Sequence, residues 1–295
     1  MQVSPENKSH GNQNPIAILM TMYNNEALGN RICRHLAKDF DVYVHIDKRS
    51  SAKIDEHNNV FVYKKFRTYW GSFNFVRAIL YLLQQAYRKG YDRYILISGQ
   101  DLPIKTNAEI NEFFSNNNRE YIWMQKMPVE GLVDNGGFDR VAHYHPNPFH
   151  RNRSAFSRGL YKLINSVFAV YSKIKPRTID YEFYKGTTWW NLTHKCVSGI
   201  LSFINENSLY SNRFRWTCIC DEIFFHTIVS QIEGTTVVNN ALRYIDWVSG
   251  PEYPRTLRLD DYERIITSDA LFARKFDMNV DSSVISKVMD YVNAD

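Results

Sequence analysis

Three segments of this 295-residue chain carry side chains whose type and spacing suit chemistry. In the run Tyr94 to Thr106, apolar residues up to Ile97 give way to Ser98-Gly99, and Asp101 is presented just before Pro103. Open α/β sheets bind ligands at the carboxyl ends of their strands, and a glycine there lets a ligand approach the backbone closely. In the run Trp216 to His226, Asp221 and Glu222 stand side by side ahead of an apolar stretch. The pair reads two ways. It is either a cap and dipole partner for a helix, or Asp221 caps while Glu222 projects as a general base toward a hydroxyl. In Lys185 to Leu192, Gly186 is followed by Trp189 and Trp190. Adjacent strand residues face opposite ways, so sugar stacking and core filling both fit these rings. Further on come Trp247, then Arg255 in Pro254-Arg255-Thr256, then Lys275 in Leu271 to Asp277. Cations in such turns either clamp a pyrophosphate or line a solvated face.

The metal-ligating types are poorly placed. The only Asp-X-Asp triplet, Asp39-Phe40-Asp41, precedes a strand rather than following one. No metal site is therefore expected at that triplet. His143, His145 and His150 fall in a segment that reads as a mobile loop, with metal binding as the lesser alternative. Cys33, Cys196, Cys218 and Cys220 lack a secreted framework, and Cys218-Ile219-Cys220 lacks the spacing of common zinc knuckles. All four read as reduced thiols of a cytosolic protein.

Net charge of +5 and a pI near 8.9 favour anionic partners. No basic run or RNA-type aromatic motif accompanies that charge, which argues against a nucleic-acid binder. The hydrophobic fraction of 44% excludes a disordered chain. Residues 1–14 read as a polar, disordered leader without the apolar core of a signal peptide. No run has the apolar length that a membrane span needs. The expected location is cytoplasmic, at most peripheral on the inner face of a membrane.

The elements that must position these residues follow from hydrophobic periodicity. Strands are expected at Ile16 to Met22, Asp41 to Asp47, Val60 to Tyr63, Tyr94 to Ile97, Glu120 to Met124, Thr187 to Leu192 and around Val237 to Ile245. Helices are expected after Asn25 and Ser72 as caps, near Asn107 to Phe114, over 154–175, up to Ile204, over Asp221 to Ile232 and over Ser282 to Val292. Strands alternating with helices indicate a mostly parallel, doubly wound sheet. Residues 15–295 read as one α/β domain, with a Rossmann-like nucleotide-binding half (about 15–127) and a loop-rich acceptor half (about 128–295). The helix at 154–175 sets Leu160, Ile164, Phe168 and Tyr171 against Arg158, Lys162 and Lys173. It is either a packed surface helix or one that meets a membrane bearing a lipid-linked acceptor.

Taken in order, Val44 to Lys48, Tyr69 to Ser72, Ser98 to Thr106, Gly186 to Trp190, Asp221-Glu222 and Leu271 to Asp277 resemble the core-2/I-branching β-1,6-N-acetylglucosaminyltransferase family (glycosyltransferase family 14), which includes peptide O-xylosyltransferases. The resemblance runs from about residue 16 to 280. It implies a GT-A fold and an inverting single displacement with no divalent metal and no other cofactor, a UDP-sugar being the co-substrate. The donor is expected to be UDP-N-acetylglucosamine, with UDP-xylose or another UDP-sugar as alternatives. It further implies Glu222 as catalytic base, and Arg255 and Lys275 beside the donor diphosphate. Asp47, Tyr69 and Asp101 would line the nucleotide-sugar side. Glu120, Trp189, Trp190 and Trp247 would meet the acceptor. Cys220 stands where the family often has proline, and residues 128–180 match poorly. The membrane anchor and disulfides of the animal members are absent from the sequence, which suggests a bacterial-type enzyme building a surface polysaccharide or lipid-linked glycan. A carbohydrate-binding protein without turnover is the competing class.

Overall fold

The computed structural model describes residues 15–145, 155–251 and 254–294, with the side chains of 155–161 left aside. The first half runs β1 (Ile16–Met22), α1 (Glu26–Leu36), β2 (Asp41–Ile46), β3 (Val60–Tyr63), α2 (Phe73–Tyr87), β4 (Arg93–Ser98), β5 (Asp101–Pro103), α3 (Asn107–Ser115) and β6 (Arg119–Lys126). Next come two short helical turns, α4 (Val133–Gly136) and α5 (Asp139–Ala142), then the long α6 (Ala155–Ile174) and β7 (Tyr184–Thr193). The chain continues through α7 (His194–Glu206), α8 (Ser208–Phe214), a 3-10 turn at Cys220–Glu222, α9 (Phe224–Val229), β8 (Thr236–Val238) and β9 (Arg243–Ile245). A second 3-10 turn (Leu259–Asp261), α10 (Tyr262–Ile266), β10 (Phe272–Arg274) and α11 (Ser282–Val292) complete it.

Seven strands form a sheet in the order β3-β2-β1-β4-β7-β6-β8. The strands β3, β2, β1 and β4 are mutually parallel, β7 runs antiparallel to both β4 and β6, and β8 is parallel to β6. Both faces of the parallel strands are covered, which is why β1 and β2 are buried along their whole length. Alternation divides the core in two. Ile16, Ile18, Met20 and Met22 face α1 and α11, while Ala17 and Leu19 face α2, α7 and α9. Helix α2 buries Val76, Ile79, Leu82, Leu83 and Ala86, the stripe expected of helical spacing. This is the expected α/β architecture of the GT-A type.

Local differences have identifiable causes. The side chain of Asn25 makes no cap bond, and the Ser72 hydroxyl donates to the carbonyl of Tyr69 rather than capping α2. Thr106 and Glu109 instead form a full capping box on α3. The stretch expected as one strand over Val237 to Ile245 divides. β8 joins the main sheet, while β9 joins β10 and β5 in a separate three-stranded sheet. The helix expected over Asp221 to Ile232 is a 3-10 turn followed by the six-residue α9.

Candidate functional site

At the carboxyl ends of β1, β2 and β4 the loops are tied together. Asp47 N–H donates to Met22 O at 2.9 Å, and Gly99 N–H donates to Thr21 O at 2.9 Å. A Cβ on Gly99 would lie 2.9 Å from the Cβ of Met22, so this corner depends on glycine. Asp47 is fully buried there. It accepts from the Arg49 backbone and guanidinium at 2.7–3.0 Å and from the Thr68 hydroxyl at 2.6 Å. Burial pushes its carboxyl up, but the hydrogen bonds from Arg49 and Thr68 outweigh this and hold it below the usual range. Arg49 in turn lies 4.0 Å over the ring of Tyr69, so Asp47 and Tyr69 belong to one cluster.

Asp101 begins β5, and the pairing of β5 with β10 sets it opposite Arg274. Arg274 Nε stands 3.2 Å from the Asp101 carboxylate, and the backbone N–H of Ser98 donates to the same side chain. The guanidinium also covers the ring of Trp189 at 4.2 Å. Trp189 is consequently buried at this edge beneath a cation rather than open to a sugar. Trp190 points the other way into the core against Phe225, as alternation along β7 requires. Neither ring of the tandem pair borders an open groove.

The turn Cys220–Glu222 reaches the same edge. Gly71, at φ +67°, packs so closely that a Cβ would lie 3.2 Å from the Ile219 backbone, and Ile219 itself is left-handed (φ 48°, ψ 48°). A β-branched residue in that region costs on the order of 1–3 kcal/mol, held by its surroundings. From this turn Asp221 points inward and accepts from the Thr188 hydroxyl at 2.8 Å. Burial, and then the neighbouring charge of Glu222, push its carboxyl up to about 6. Glu222 points outward and is partly exposed. Arg140 donates to it at 3.0 Å, and Lys185 Nζ lies 3.9 Å away. Burial pulls the Lys185 ammonium below its usual range, with the charge of Glu222 opposing that shift. Gly186 makes the arrangement possible, since a Cβ there would sit 1.8 Å from the carbonyl oxygen of Trp123 and 2.7 Å from the ring of His226. His226 Nε2 hydrogen-bonds to Thr187 O at 2.8 Å, and burial pulls its imidazole down to about 4.

The C-terminal cations converge here too. β10 ends at Arg274, and the next residue, Lys275, accepts at its carbonyl from Leu257 N–H at 2.9 Å. That pairing brings Arg255, two residues before Leu257, near Lys275. Arg255 is not an open cation, however. It donates to Asp261 at 2.7 Å and stands 3.4 Å from Asp246. Hydrogen bonds from the Ser249 hydroxyl and the backbone of Ser249 and Val248 hold Asp246 well below the usual carboxylate range. Trp247, beside Asp246, is 52% exposed.

Glu120 does not join this cluster. It lies at the start of β6, beside Arg93 at the start of β4, where it accepts from the Thr193 N–H and hydroxyl at 2.8 and 2.6 Å. A strand the length of β4 separates it from Asp101, about 17 Å at 3.3 Å per residue. Counting past the helix placed Glu120 by sequence position, but β6 runs in the same direction as β4, so a residue at its start lies at the opposite sheet edge from the strand-end acids. His150 lies outside the described residues. His145 is held rather than loose, with its N–H on Trp216 O at 2.9 Å and its ring on Asp139 O at 3.1 Å. Among the described residues no three His, Cys, Asp or Glu side chains gather as a metal group would require.

Four contributors escaped the sequence reading: Arg140, Lys185, Thr188 and Arg274. Arg274 precedes Lys275 and Lys185 precedes Gly186, so both stood inside motifs already singled out. Arg140 sits in a poorly patterned stretch and reaches Glu222 only through the fold.

A family model described as "Core-2/I-Branching enzyme" matches residues 17–270. The chain is 24% identical over 203 residues to beta-glucuronosyltransferase GlcAT14B of Arabidopsis thaliana, covering 67% of this chain and 43% of that protein. It is 25% identical over 226 residues to GlcAT14A of the same plant, covering 74% and 46%. It is 23% identical over 287 residues to xylosyltransferase 1 of Mus musculus, covering 87% of this chain and 28% of that protein. The chain thus spans less than half the length of these relatives. With the family match running across both halves of the fold, the chain belongs to the Core-2/I-branching enzyme family.

Proposed function

We propose that this chain is an inverting, metal-independent glycosyltransferase that moves a sugar from a UDP-sugar, UDP-N-acetylglucosamine in the first instance, to a hydroxyl of a glycan acceptor. The observation that carries this reading is the position of Glu222, partly exposed and held by Arg140 and Lys185 at the strand-end rim. In this mechanism the Glu222 carboxylate takes the proton of the acceptor hydroxyl as its oxygen bonds to the anomeric carbon. The bond from that carbon to the diphosphate breaks, and its electrons leave with UDP. Lys275 offsets the charge that develops, joined by Arg255 once the diphosphate competes with Asp246 and Asp261. Both strand-end acids are already engaged, Asp47 by Arg49 and Thr68 and Asp101 by Arg274 and Ser98, so neither is offered to a divalent cation. Trp247 supplies the exposed ring for an acceptor sugar. Relatives named for glucuronic acid and xylose keep those two sugars as alternative donors. A surface or lipid-linked glycan made on the cytoplasmic side is the matching acceptor class.

Replacing the base tests the assignment. Glu222→Gln is expected to lower UDP release from the donor by about 100-fold or more while leaving UDP affinity unchanged. Lys275→Ala is expected to weaken UDP binding itself. Full turnover in Glu222→Gln would remove Glu222 as the base, and a wild-type chain that binds glycan but releases no UDP would move the protein to the carbohydrate-binding class.

A further inference from the structure

Helix α6 buries one side through Ser172 and through Phe168, whose ring stacks on Trp216 at 5.9 Å. The opposite side carries Leu163, Val167, Val170 and Ile174, spaced four, three and four residues apart and therefore aligned in one stripe. Their exposures are 62, 58, 58 and 78%. Scattered exposed aliphatics are ordinary, but an aligned stripe of four branched ones marks a contact surface. Exposed Lys162, Lys173 and Lys175 flank it. From Pro146 to Ile179 the sequence holds seven Lys and Arg and no Asp or Glu. Beside the stripe lies an apolar hollow of about 430 Å³ lined by Tyr144, Val167, Phe168, Tyr171 and Trp216. Tyr144 follows α5, whose Arg140 touches Glu222, and Trp216 opens the segment that ends at Glu222. The hollow is thus linked along the chain to the proposed base by both of its walls.

We propose that this face of α6 seats on an anionic lipid bilayer, with the stripe in the acyl boundary and the lysines at the headgroups. An amphipathic helix with a basic flank binds such a surface through apolar burial and attraction to anionic lipid together. Other occupants fit less well. Residues 1–14 and 146–154 are polar or basic in composition, with Val3 and Phe149 almost their only large apolar residues besides Met1. A second copy in two-fold contact would set these lysines against their own images. Among the described residues no helix is long and apolar enough to cross a membrane, so the contact is one of lying on the surface. The inference extends the transferase reading by placing the site over a lipid-borne acceptor, yet the contact itself does not depend on the chemistry.

The test is sedimentation of the full chain with phosphatidylcholine vesicles, with and without phosphatidylglycerol. Binding is expected to be at least about tenfold stronger to the anionic vesicles and to weaken as salt rises. The double variant Val167→Glu/Ile174→Glu, altered only at exposed positions, should lose that binding while keeping its melting transition and its UDP release. Three results overturn the proposal. The folded wild-type chain fails to bind anionic vesicles, or the double variant binds as well as wild type, or the wild-type chain is a dimer that the double variant dissociates. UDP release is read separately, so a failure of the transferase assignment would not be mistaken for a failure of the membrane contact.

Discussion

Asp221 and Glu222 are neighbours in the chain but occupy different media. Asp221 is buried with one bond from Thr188, and Glu222 faces the rim between two cations. Of the division of labour read from the sequence, the geometry shows Glu222 projecting outward, while Asp221 caps no helix and accepts from Thr188 instead. Because the Asp221 carboxyl is pushed from its usual 3.8 up to about 6, folding favours its neutral form. Its contribution to stability is full below pH 3.8 and is lost as pH rises through 6, a difference of about 3 kcal/mol. Asp221→Asn keeps an acceptor for Thr188 and removes that penalty. The variant should match wild type in denaturant stability near pH 4 and exceed it near pH 8, by up to about 3 kcal/mol. An equal offset at both pH values would show that Asp221 is ionised in the fold. Single-residue positions were legible where a charged residue stood inside a short motif, as with Glu222 beside Asp221 and Lys275 directly after β10. They were illegible where a long-range contact decides, as with Arg140, which lies 82 positions from its partner Glu222.

At the scale of elements, two glycines set the site because two backbones meet there. Gly71 lets the Tyr69–Ser72 turn touch Ile219, and Gly186 lets β7 pass Trp123 and His226. Gly186→Ala should cost about 3 kcal/mol or more from steric displacement of the strand. Gly90, with φ +74° and nothing within 4 Å, should cost only about 1 kcal/mol on the same change, from its backbone conformation alone. Equal losses in chemical denaturation would contradict the packing argument. The parallel strands were readable from their apolar runs, since a strand buried on both faces has no other composition. The sheet β5-β10-β9 was not, because three-residue strands paired across 173 positions leave no periodic trace (Asp101 opposite Arg274). Glu120 shows the same limit. Its place on a strand was visible, but a residue at the start of a strand parallel to β4 lies at the end of the sheet away from the strand-end acids, however near it follows them in sequence.

For the whole molecule, the fold brings Asp47, Tyr69, Asp101, Glu222, Arg255 and Lys275 from both halves of the chain to one sheet edge, and it leaves Glu120 at the other. The carboxylates of that edge are bound to Arg49, Arg274, Arg140 and Lys185, so its chemistry is one of ion-paired acids beside further cations. An edge of that kind suits an anionic diphosphate leaving group without a bridging metal. UDP release from a panel of UDP-N-acetylglucosamine, UDP-xylose and UDP-glucuronic acid, each with and without EDTA, tests that claim most directly, because slow donor hydrolysis needs no acceptor. The account predicts release from one donor at the same rate with EDTA present. Release that EDTA abolishes, or no release and no UDP binding from any donor, would contradict it.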